Sequence, residues 1–264
     1  MISNDRTIHY PNLSKFTELT HFCSTRFGGA SVGNYGSFNL SPYTGDVLEN
    51  YTHNVLKLTT ELGITPAQLI FPQQTHSDVV KVIDSTFLAL SADTKKAYLT
   101  GVDALITNEP QLCIAVTTAD CVPIMLYDKE HKAVAVVHAG WRGTCARLVE
   151  KTLKAMQHQY GTQPADVHAS IGVSISPAVY RVGEELIDAF EQQLFATDLI
   201  FKRSNEELYL DLWTANKWLL EQNAVPSSHI EIAGICSFTE HERFFSARKL
   251  GIQSGRMLSG IMIR

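Results

Sequence analysis

Two short apolar runs separated by a charged turn form the clearest pattern in the chain. Residues 122–127 and 133–137 are mostly apolar, and residues 128–132 between them read Asp-Lys-Glu-His-Lys. Runs of this length on either side of a polar turn predict a β-hairpin. A hairpin centred after the second turn residue would place Cys121 directly opposite His138, with Cβ atoms about 5 Å apart. The pattern therefore predicts that a thiol and an imidazole meet where the two strands end.

The rest of the chain alternates irregularly between strand-like and helix-like patterns. Apolar residues at helical spacing predict helices over residues 47–62, 145–159, 184–194 and 211–222, with N-caps at Asp46, Thr144 and Asp211 for the first, second and fourth. Short apolar runs predict further strands over residues 19–29, 69–71, 79–83, 101–107, 112–116, 167–172, 207–210, 230–235 and 258–263. We expect residues 84–100 to form a loop with one helical turn.

No linker, low-complexity run or repeat divides the sequence, so we expect a single domain over residues 1–264. Strands outnumber helices and do not alternate with them regularly. This favours an α/β (α+β) fold with a mixed, largely antiparallel β-sheet flanked by helices over a doubly wound parallel sheet.

Composition narrows the range of functions. The 264 residues are 45% hydrophobic and carry a formal net charge of −5 with no run of Lys or Arg, so nucleic acid is a poor candidate partner. The N-terminus has no apolar signal region, and no stretch is long and apolar enough to predict a membrane span. Five cysteines form no CxxC pair and are odd in number, which favours a reducing cytoplasm over a disulfide framework. The oligomeric state is not predicted.

Several polar residues at strand ends are candidates for a site, but each has an ordinary structural interpretation. His76 lies in a polar turn, and a lone histidine there is more often solvated than a ligand. Asp120 precedes the hairpin and could simply cap a loop. Trp141 could stack on a base, although a tryptophan after a buried strand usually belongs to the core.

Eight short motifs follow one another along nearly the whole chain. They are Thr25-Arg26-Phe27-Gly28-Gly29, Phe38-Asn39-Leu40, Gln74-Thr75-His76, Val102-Asp103-Ala104-Leu105, Thr118-Ala119-Asp120-Cys121-Val122-Pro123, His138-Ala139-Gly140-Trp141-Arg142-Gly143, Ser246-Ala247-Arg248 and Ser254-Gly255-Arg256-Met257. In these motifs the chain resembles the YfiH-like laccase-domain family, whose members are called multicopper polyphenol oxidases or purine nucleoside phosphorylases. The ADC-x-P and HAGWRG motifs at this spacing are specific to that family.

The resemblance implies a zinc site formed by His76, Cys121 and His138, which agrees with the predicted hairpin. Three protein ligands leave a fourth position for water, as in catalytic zinc sites. The same donors would bind Cu²⁺ if it were offered. The implied activity is phosphorolysis of adenosine, inosine and S-methyl-5'-thioadenosine, with adenosine deamination as a second activity and small molecules as the partners.

Such chemistry needs a proton shuttle and cations. We assign Asp103, Asp120 and Arg142 as candidate catalytic residues, because the two aspartates lie at strand ends near the expected ligands. The candidates for binding substrate or phosphate are Arg26, Asn39 and Arg248, since a guanidinium group can bind phosphate through two hydrogen bonds.

Three other functions stay open. A copper polyphenol oxidase is weaker, because the ten histidines form no HxH pair and multicopper electron transfer needs many histidine ligands. An amidase that edits a UDP-MurNAc-peptide cell-wall precursor is also implied for the family, and zinc-bound water suits amide cleavage. A structural zinc site is disfavoured because such sites usually have four ligands. Residues 171–183 depart from the family pattern: the family's cysteines are absent and Arg181 replaces its glutamate, so substrate preference there stays open.

Overall fold

The computed structural model describes residues 6–264, so residues 1–5 of the predicted domain lie outside the described part. Its strands are β1 Thr7–Ile8, β2 Leu19–Ser24, β3 Leu69–Ile70, β4 Val80–Val82, β5 Ala104–Thr107, β6 Cys113–Thr118, β7 Val122–Asp128, β8 Ala133–Ala139, β9 Val167–Ile171, β10 Arg181–Val182, β11 Phe201–Ser204, β12 Glu207–Leu210, β13 Ile230–Ile232 and β14 Met257–Ile263. Its helices are α1 Pro11–Ser14, α2 Leu48–Leu62, α3 Ser85–Leu88, α4 Ala92–Leu99, α5 Trp141–Cys145, α6 Leu148–Tyr160, α7 Glu185–Gln192, α8 Thr197–Ile200, α9 Leu212–Gln222 and α10 Ala247–Leu250. Within this range, none of the helices has the length and apolar character needed to cross a membrane.

The strands form two large sheets and one small one. The six-stranded sheet has the order β13-β9-β7-β8-β5-β4, and the five-stranded sheet has the order β1-β2-β14-β6-β3. The small sheet is β10-β12-β11. Parallel pairing joins β13 to β9, β3 to β6 and β4 to β5, whereas every other strand pair in the described residues is antiparallel. The predicted mixed, largely antiparallel α/β fold is confirmed.

The two large sheets pack face to face, with helices on their outer faces. Met125 of β7 points into the core between the sheets, where it joins Val116 of β6 and Ile261 of β14. The neighbouring Ile124 points the other way, into a second core under α6, α7 and α9. A third core lies between the five-stranded sheet and α2, around Leu58. Because both faces of β7 and β8 are covered, these strands are apolar throughout instead of alternating.

The hairpin exists, but its predicted register is wrong. Pro123 rather than Cys121 faces His138, because the turn lies one residue further along the chain. Asp128 ends β7, and its carboxylate accepts hydrogen bonds from the backbone N–H groups of Glu130 and His131, which fixes that turn. Cys121 and His138 are therefore diagonal neighbours instead of directly opposed residues.

Each of the four predicted helices overlaps a helix in the structure, but only one of the three predicted N-caps is correct. Asp211 caps α9 as predicted and accepts a hydrogen bond from the N–H of Thr214. Asp46 does not cap α2; its carboxylate accepts hydrogen bonds from the side chains of Ser31 and Asn39. The predicted helix over 145–159 corresponds to α6, which begins at Leu148 because Arg147 before it has a left-handed backbone. The predicted cap Thr144 is wrong, since this residue lies inside α5. The predicted loop over 84–100 contains two helices, α3 and α4.

Candidate active site

Three side chains that could hold a metal ion meet at one end of β7 and β8, the central strands of the six-stranded sheet. Donor atoms of His76, Cys121 and His138 all lie within 4.8 Å of one another. His138 is buried at the end of β8, Cys121 directly precedes β7, and His76 is exposed in the loop after β3. The Sγ atom of Cys121 is 3.7 Å from Nε2 of His76. The structure thus brings together the three residues that the resemblance implied as ligands.

A glycine makes room for the cluster. Extending the hairpin register by one residue places Gly140 opposite Cys121. A Cβ atom on Gly140 would lie 2.9 Å from the Cys121 sulfur and 3.2 Å from Cδ2 of His76, so any larger residue would push the two donors apart. The glycine of the HAGWRG motif therefore leaves the space in which the sulfur and imidazole approach each other.

Asp103 holds two of the three donors in place. Its Oδ1 atom lies 2.6 Å from Nδ1 of His138, which leaves the Nε2 atom of that ring free for a ligand. The same carboxylate accepts hydrogen bonds from the backbone N–H groups of Thr75, His76 and Ser77. His76 has a left-handed backbone (φ 61°), and these bonds stabilise the turn that presents its ring. Asp103 thus positions ligands and is fully buried.

The electrostatics of the cluster favour a thiolate at Cys121 and a proton on His138: burial lowers the pKa of that imidazole, but Cys121 and Asp103 outweigh burial and raise it to about 9. Burial raises the pKa of the Cys121 thiol, but the adjacent His138 and His76 rings outweigh burial and lower this pKa to about 6. Burial likewise raises the pKa of Asp103, and its hydrogen bonds to His138 and Ser77 lower that pKa to about 2. Metal ions bind the thiolate and the neutral imidazole, so a bound metal ion would displace the proton of His138. The donor set therefore fits a metal ion.

Asparagine at position 103 should weaken this centre. The Asp103→Asn side chain keeps only one acceptor oxygen. Its NH₂ group would face N–H groups that now donate hydrogen bonds to the carboxylate. We expect metal affinity to fall about 10- to 100-fold, as when other outer-shell partners of histidine ligands are lost. Zinc titration against a chromophoric chelator measures this. Asp78→Asn is the control, because Asp78 is exposed and contacts Lys151; equal affinity in both variants would contradict the positioning role.

The three donors line a cavity of about 550 Å³ whose other walls come from distant parts of the chain. Tyr43 belongs to the loop before α2, and Tyr180 lies just before β10. Arg248 lies in α10, and Arg256 lies just before β14. The guanidinium group of Arg248 lies 5.2 Å from the centre of the Tyr180 ring and donates a hydrogen bond to the carbonyl of Arg181. The cavity thus combines aromatic and cationic walls with the ligand cluster.

Asp120 lies in the cavity wall beside Cys121. Its Oδ1 atom accepts a hydrogen bond from the hydroxyl of Ser237 at 2.7 Å, and Oδ2 accepts one from the backbone N–H of Arg248 at 2.7 Å. The residue has a left-handed backbone (φ 89°), which is uncommon outside glycine. Each carboxylate oxygen has a further lone pair, so Asp120 can still accept a proton from a bound molecule.

Two of the predicted substrate-binding residues do not reach the cavity. The guanidinium group of Arg26 donates to the carbonyls of Gly36 and His241 and packs over the Phe245 ring. Asn39 is fully buried and supports the backbone of Arg256, whose N–H donates to its side-chain oxygen. Among the three residues predicted to bind substrate or phosphate, Arg248 alone lines the cavity.

Arg142 also lies outside the cavity. It is exposed, and its guanidinium group stacks on the ring of Trp141 at 4.3 Å. Trp141 and Tyr180 line a second, adjoining cavity that also touches Arg248. The Arg142 side chain therefore reaches the reacting groups only if it leaves Trp141.

Sequence reasoning missed several residues of the wall, among them Tyr180 and Arg256. Arg256 was visible as part of the SGRM motif, but its role was not. Tyr180 lies in the 171–183 stretch that departs from the family pattern, and Ile175 of the same stretch also lines the cavity. Arg181 points away and pairs with Glu207 at 2.6 Å. The departing segment therefore meets the cavity through Ile175 and Tyr180 rather than through Arg181.

The fold agrees with comparisons to known proteins. The family model described as "Multi-copper polyphenol oxidoreductase laccase" matches residues 20–264. The chain belongs to this family, which confirms the resemblance seen in its motifs.

Individual relatives match over nearly their whole length. A protein of Bacteroides thetaiotaomicron named purine nucleoside phosphorylase is 46% identical over 260 residues, covering 98% of this chain and 96% of that protein. A protein from an unknown prokaryotic organism, named adenosine deaminase RL5, is 40% identical over 253 residues. The match covers 95% of this chain and 96% of that protein. The crystal structure of the Bacillus licheniformis hypothetical protein YfiH superposes with a TM-score of 0.92 at 27% identity, covering 100% of this chain and 98% of that one.

Proposed function

We propose that the chain is a zinc-dependent purine nucleoside phosphorylase that acts on adenosine, inosine and S-methyl-5'-thioadenosine and also deaminates adenosine. The observation that carries the proposal is the His-Cys-His cluster, which opens into a cavity with arginine in its wall. The names of the two relatives described above support the two activities. When bound, zinc supplies a Lewis acid and lowers the pKa of water.

Zinc fits the donors better than a multicopper arrangement does. In a tetrahedral site with Zn–S about 2.3 Å and Zn–N about 2.0 Å, sulfur and nitrogen lie about 3.5 Å apart. The Cys121 and His76 donors are 3.7 Å apart. Among residues 6–264, this cluster is the one group of three or more His, Cys, Asp or Glu side chains placed to hold a metal ion. Electron transfer among several coppers would need further ligands.

The two aspartates take different roles in this proposal. Asp103 already accepts five hydrogen bonds, so it orients His138 and the His76 turn instead of shuttling protons. Asp120 faces the cavity and is the group that transfers a proton to or from the purine. Arg248 contacts phosphate. Asn39 and Arg26 support loops next to the cavity wall. Arg142 takes part only if a bound substrate displaces its guanidinium group from the Trp141 ring.

The proposal also covers the extent and location of the protein. We assign the whole of residues 1–264 to one catalytic domain, because the cavity takes residues from Ser41 to Arg256. All five cysteines are free, which suits a reducing cytoplasm.

The test is product analysis on purified protein whose metal content has been measured. Adenosine is incubated with and without phosphate, and the products are separated. We expect adenine and ribose 1-phosphate only with phosphate, and a smaller amount of inosine in both reactions. The absence of all three products in the zinc-loaded protein would overturn the proposal. Turnover of a phenol by the copper-loaded form, far above the zinc form, would favour the oxidase named by the family model.

A further inference from the structure

Arg256 is a partly buried cation in the cavity wall that lacks a carboxylate partner. Its Nη1 atom donates to the carbonyls of Ser254 at 2.6 Å and Gly255 at 3.0 Å, and Nη2 donates to the carbonyl of Ile252 at 2.9 Å. No carboxylate of residues 6–264 lies within 4 Å of its guanidinium nitrogens. A guanidinium group has five N–H donors, so Nε–H and one Nη2 hydrogen are left without a protein acceptor in that range.

Only some arginines in the described chain are neutralised. Five of the ten in residues 6–264 have a carboxylate within 4 Å: Arg6, Arg147, Arg181, Arg203 and Arg243. Arg26, Arg142, Arg248 and Arg264 have none either, and of these four only Arg248 lines the cavity that Arg256 borders. Arg256 is instead held by backbone carbonyls, which fix the position of the group without cancelling its charge. Burial lowers its pKa, and the negative groups that oppose this are Cys121 and Asp120, which border the same cavity. A desolvated cation without a partner is costly unless a ligand neutralises it.

The backbone at Arg256 is fixed as firmly as its side chain. The N–H of Arg256 donates to Oδ1 of Asn39 at 2.9 Å, and its carbonyl accepts from the N–H of Leu40 at 3.1 Å. Asn39 is itself anchored, since its amide donates to the side chains of Thr44 and Asp46. The Phe38-Asn39-Leu40 motif therefore fixes the backbone of Arg256 through two hydrogen bonds.

We propose that Arg256 binds the phosphate co-substrate, with its two free donors on two phosphate oxygens and Arg248 on the same anion. Both guanidinium groups border the cavity that holds the ligand cluster. Such hydrogen bonds between charged groups are about twice as strong as neutral ones, and the planar fork of arginine matches two oxygens of a tetrahedral anion. The assignment rests on the proposed phosphorolysis and replaces Arg26 with Arg256 as the second phosphate contact.

The test compares phosphate dependence across four variants of the zinc-loaded protein. We expect Arg256→Ala to raise the phosphate KM about 30-fold and Arg256→Lys to raise it about 10-fold, since lysine keeps the charge but loses the fork. Arg26→Lys should change it less than Arg256→Lys. Arg264→Lys is the control, because Arg264 is exposed and contacts Thr20 far from the cavity.

Two readouts separate phosphate binding from general damage to the loop. The adenosine KM and the rate of phosphate-independent deamination should stay within about twofold of wild type in Arg256→Lys. An unchanged phosphate KM in both Arg256 variants, with wild-type phosphorolysis intact, would overturn the assignment and leave the proposed function standing. A larger effect in Arg26→Lys than in Arg256→Lys would also overturn it.

A failure of the proposed function itself gives a different result. If the wild-type protein forms no ribose 1-phosphate, calorimetric titration with inorganic phosphate decides the assignment. Binding to wild type that is lost in Arg256→Lys and kept in Arg264→Lys would support an anion site at Arg256. Equal binding to all three proteins, or binding to none, would refute it.

Discussion

Cys121→Ala should remove zinc from the protein and reduce phosphorolysis at least about a thousandfold. The thiol is one of only three donors in the cluster, and the two remaining imidazoles cannot retain the ion against a chelator. Metal ions contribute several kcal/mol to transition-state stabilisation, and each 1.4 kcal/mol is about tenfold in rate. The measurements are zinc content after gel filtration and the rate of adenine release with phosphate.

Cys145→Ala is the matched control for this experiment. Cys145 is another half-buried free cysteine, in α5, and its thiol contacts the carbonyl of Ala189 outside the cavity. We expect this variant to keep one zinc per chain and wild-type activity. Full phosphorolysis by zinc-free Cys121→Ala would show that the His-Cys-His cluster has no part in the reaction.

Asp120→Asn should lower kcat about 10²- to 10⁴-fold while zinc content stays unchanged. An amide cannot take up the proton, and general acid–base groups contribute rate factors of this size. The fold should tolerate the change, because asparagine can accept from the backbone N–H of Arg248 and donate to Ser237 at the same positions. Single-turnover rates with adenosine, with and without phosphate, measure the loss in both proposed activities.

A kcat within about twofold of wild type would give Asp120 a different role. It would then serve to join the segments around Ser237 and Arg248, as its two hydrogen bonds indicate. Ser237→Ala distinguishes the two roles, since it removes one of these bonds and leaves the carboxylate in place. A proton-transfer role predicts a much smaller effect for Ser237→Ala than for Asp120→Asn.

The contrast between Asp103 and Asp120 explains why the sequence could not separate them. Both precede strands and both belong to family motifs, so the sequence gives them equal standing. In the structure, Asp103 is completely buried and bonds to His138 and the turn at His76, whereas Asp120 borders the cavity. One carboxylate therefore positions two donors of the cluster, and the other lines the cavity.

The hairpin shows why Cys121 and His138 lie close together although their predicted register is wrong. Strand side chains alternate between two faces, so a displacement of the partner by two residues keeps Cys121 and His138 on the same face. Diagonal neighbours remain within reach of one metal ion. The prediction of proximity therefore survived an incorrect turn, whereas a displacement by one residue would have sent the two donors to opposite faces.

The sequence by itself determined the fold class, most strands, four of the ten helices in residues 6–264 and, through the family resemblance, the identity of the three clustered donors. The strands and helices follow from local periodicity. The three donors follow from the family resemblance, because local pattern alone favours a solvated His76. Only the tertiary structure decided the walls of the cavity. Tyr180, Arg248 and Arg256 meet there because the loops at one end of two packed sheets converge, and no local pattern encodes such convergence. For the same reason Arg26, a motif residue like the others, lies outside the cavity, while Arg256, which also donates to backbone carbonyls, borders it.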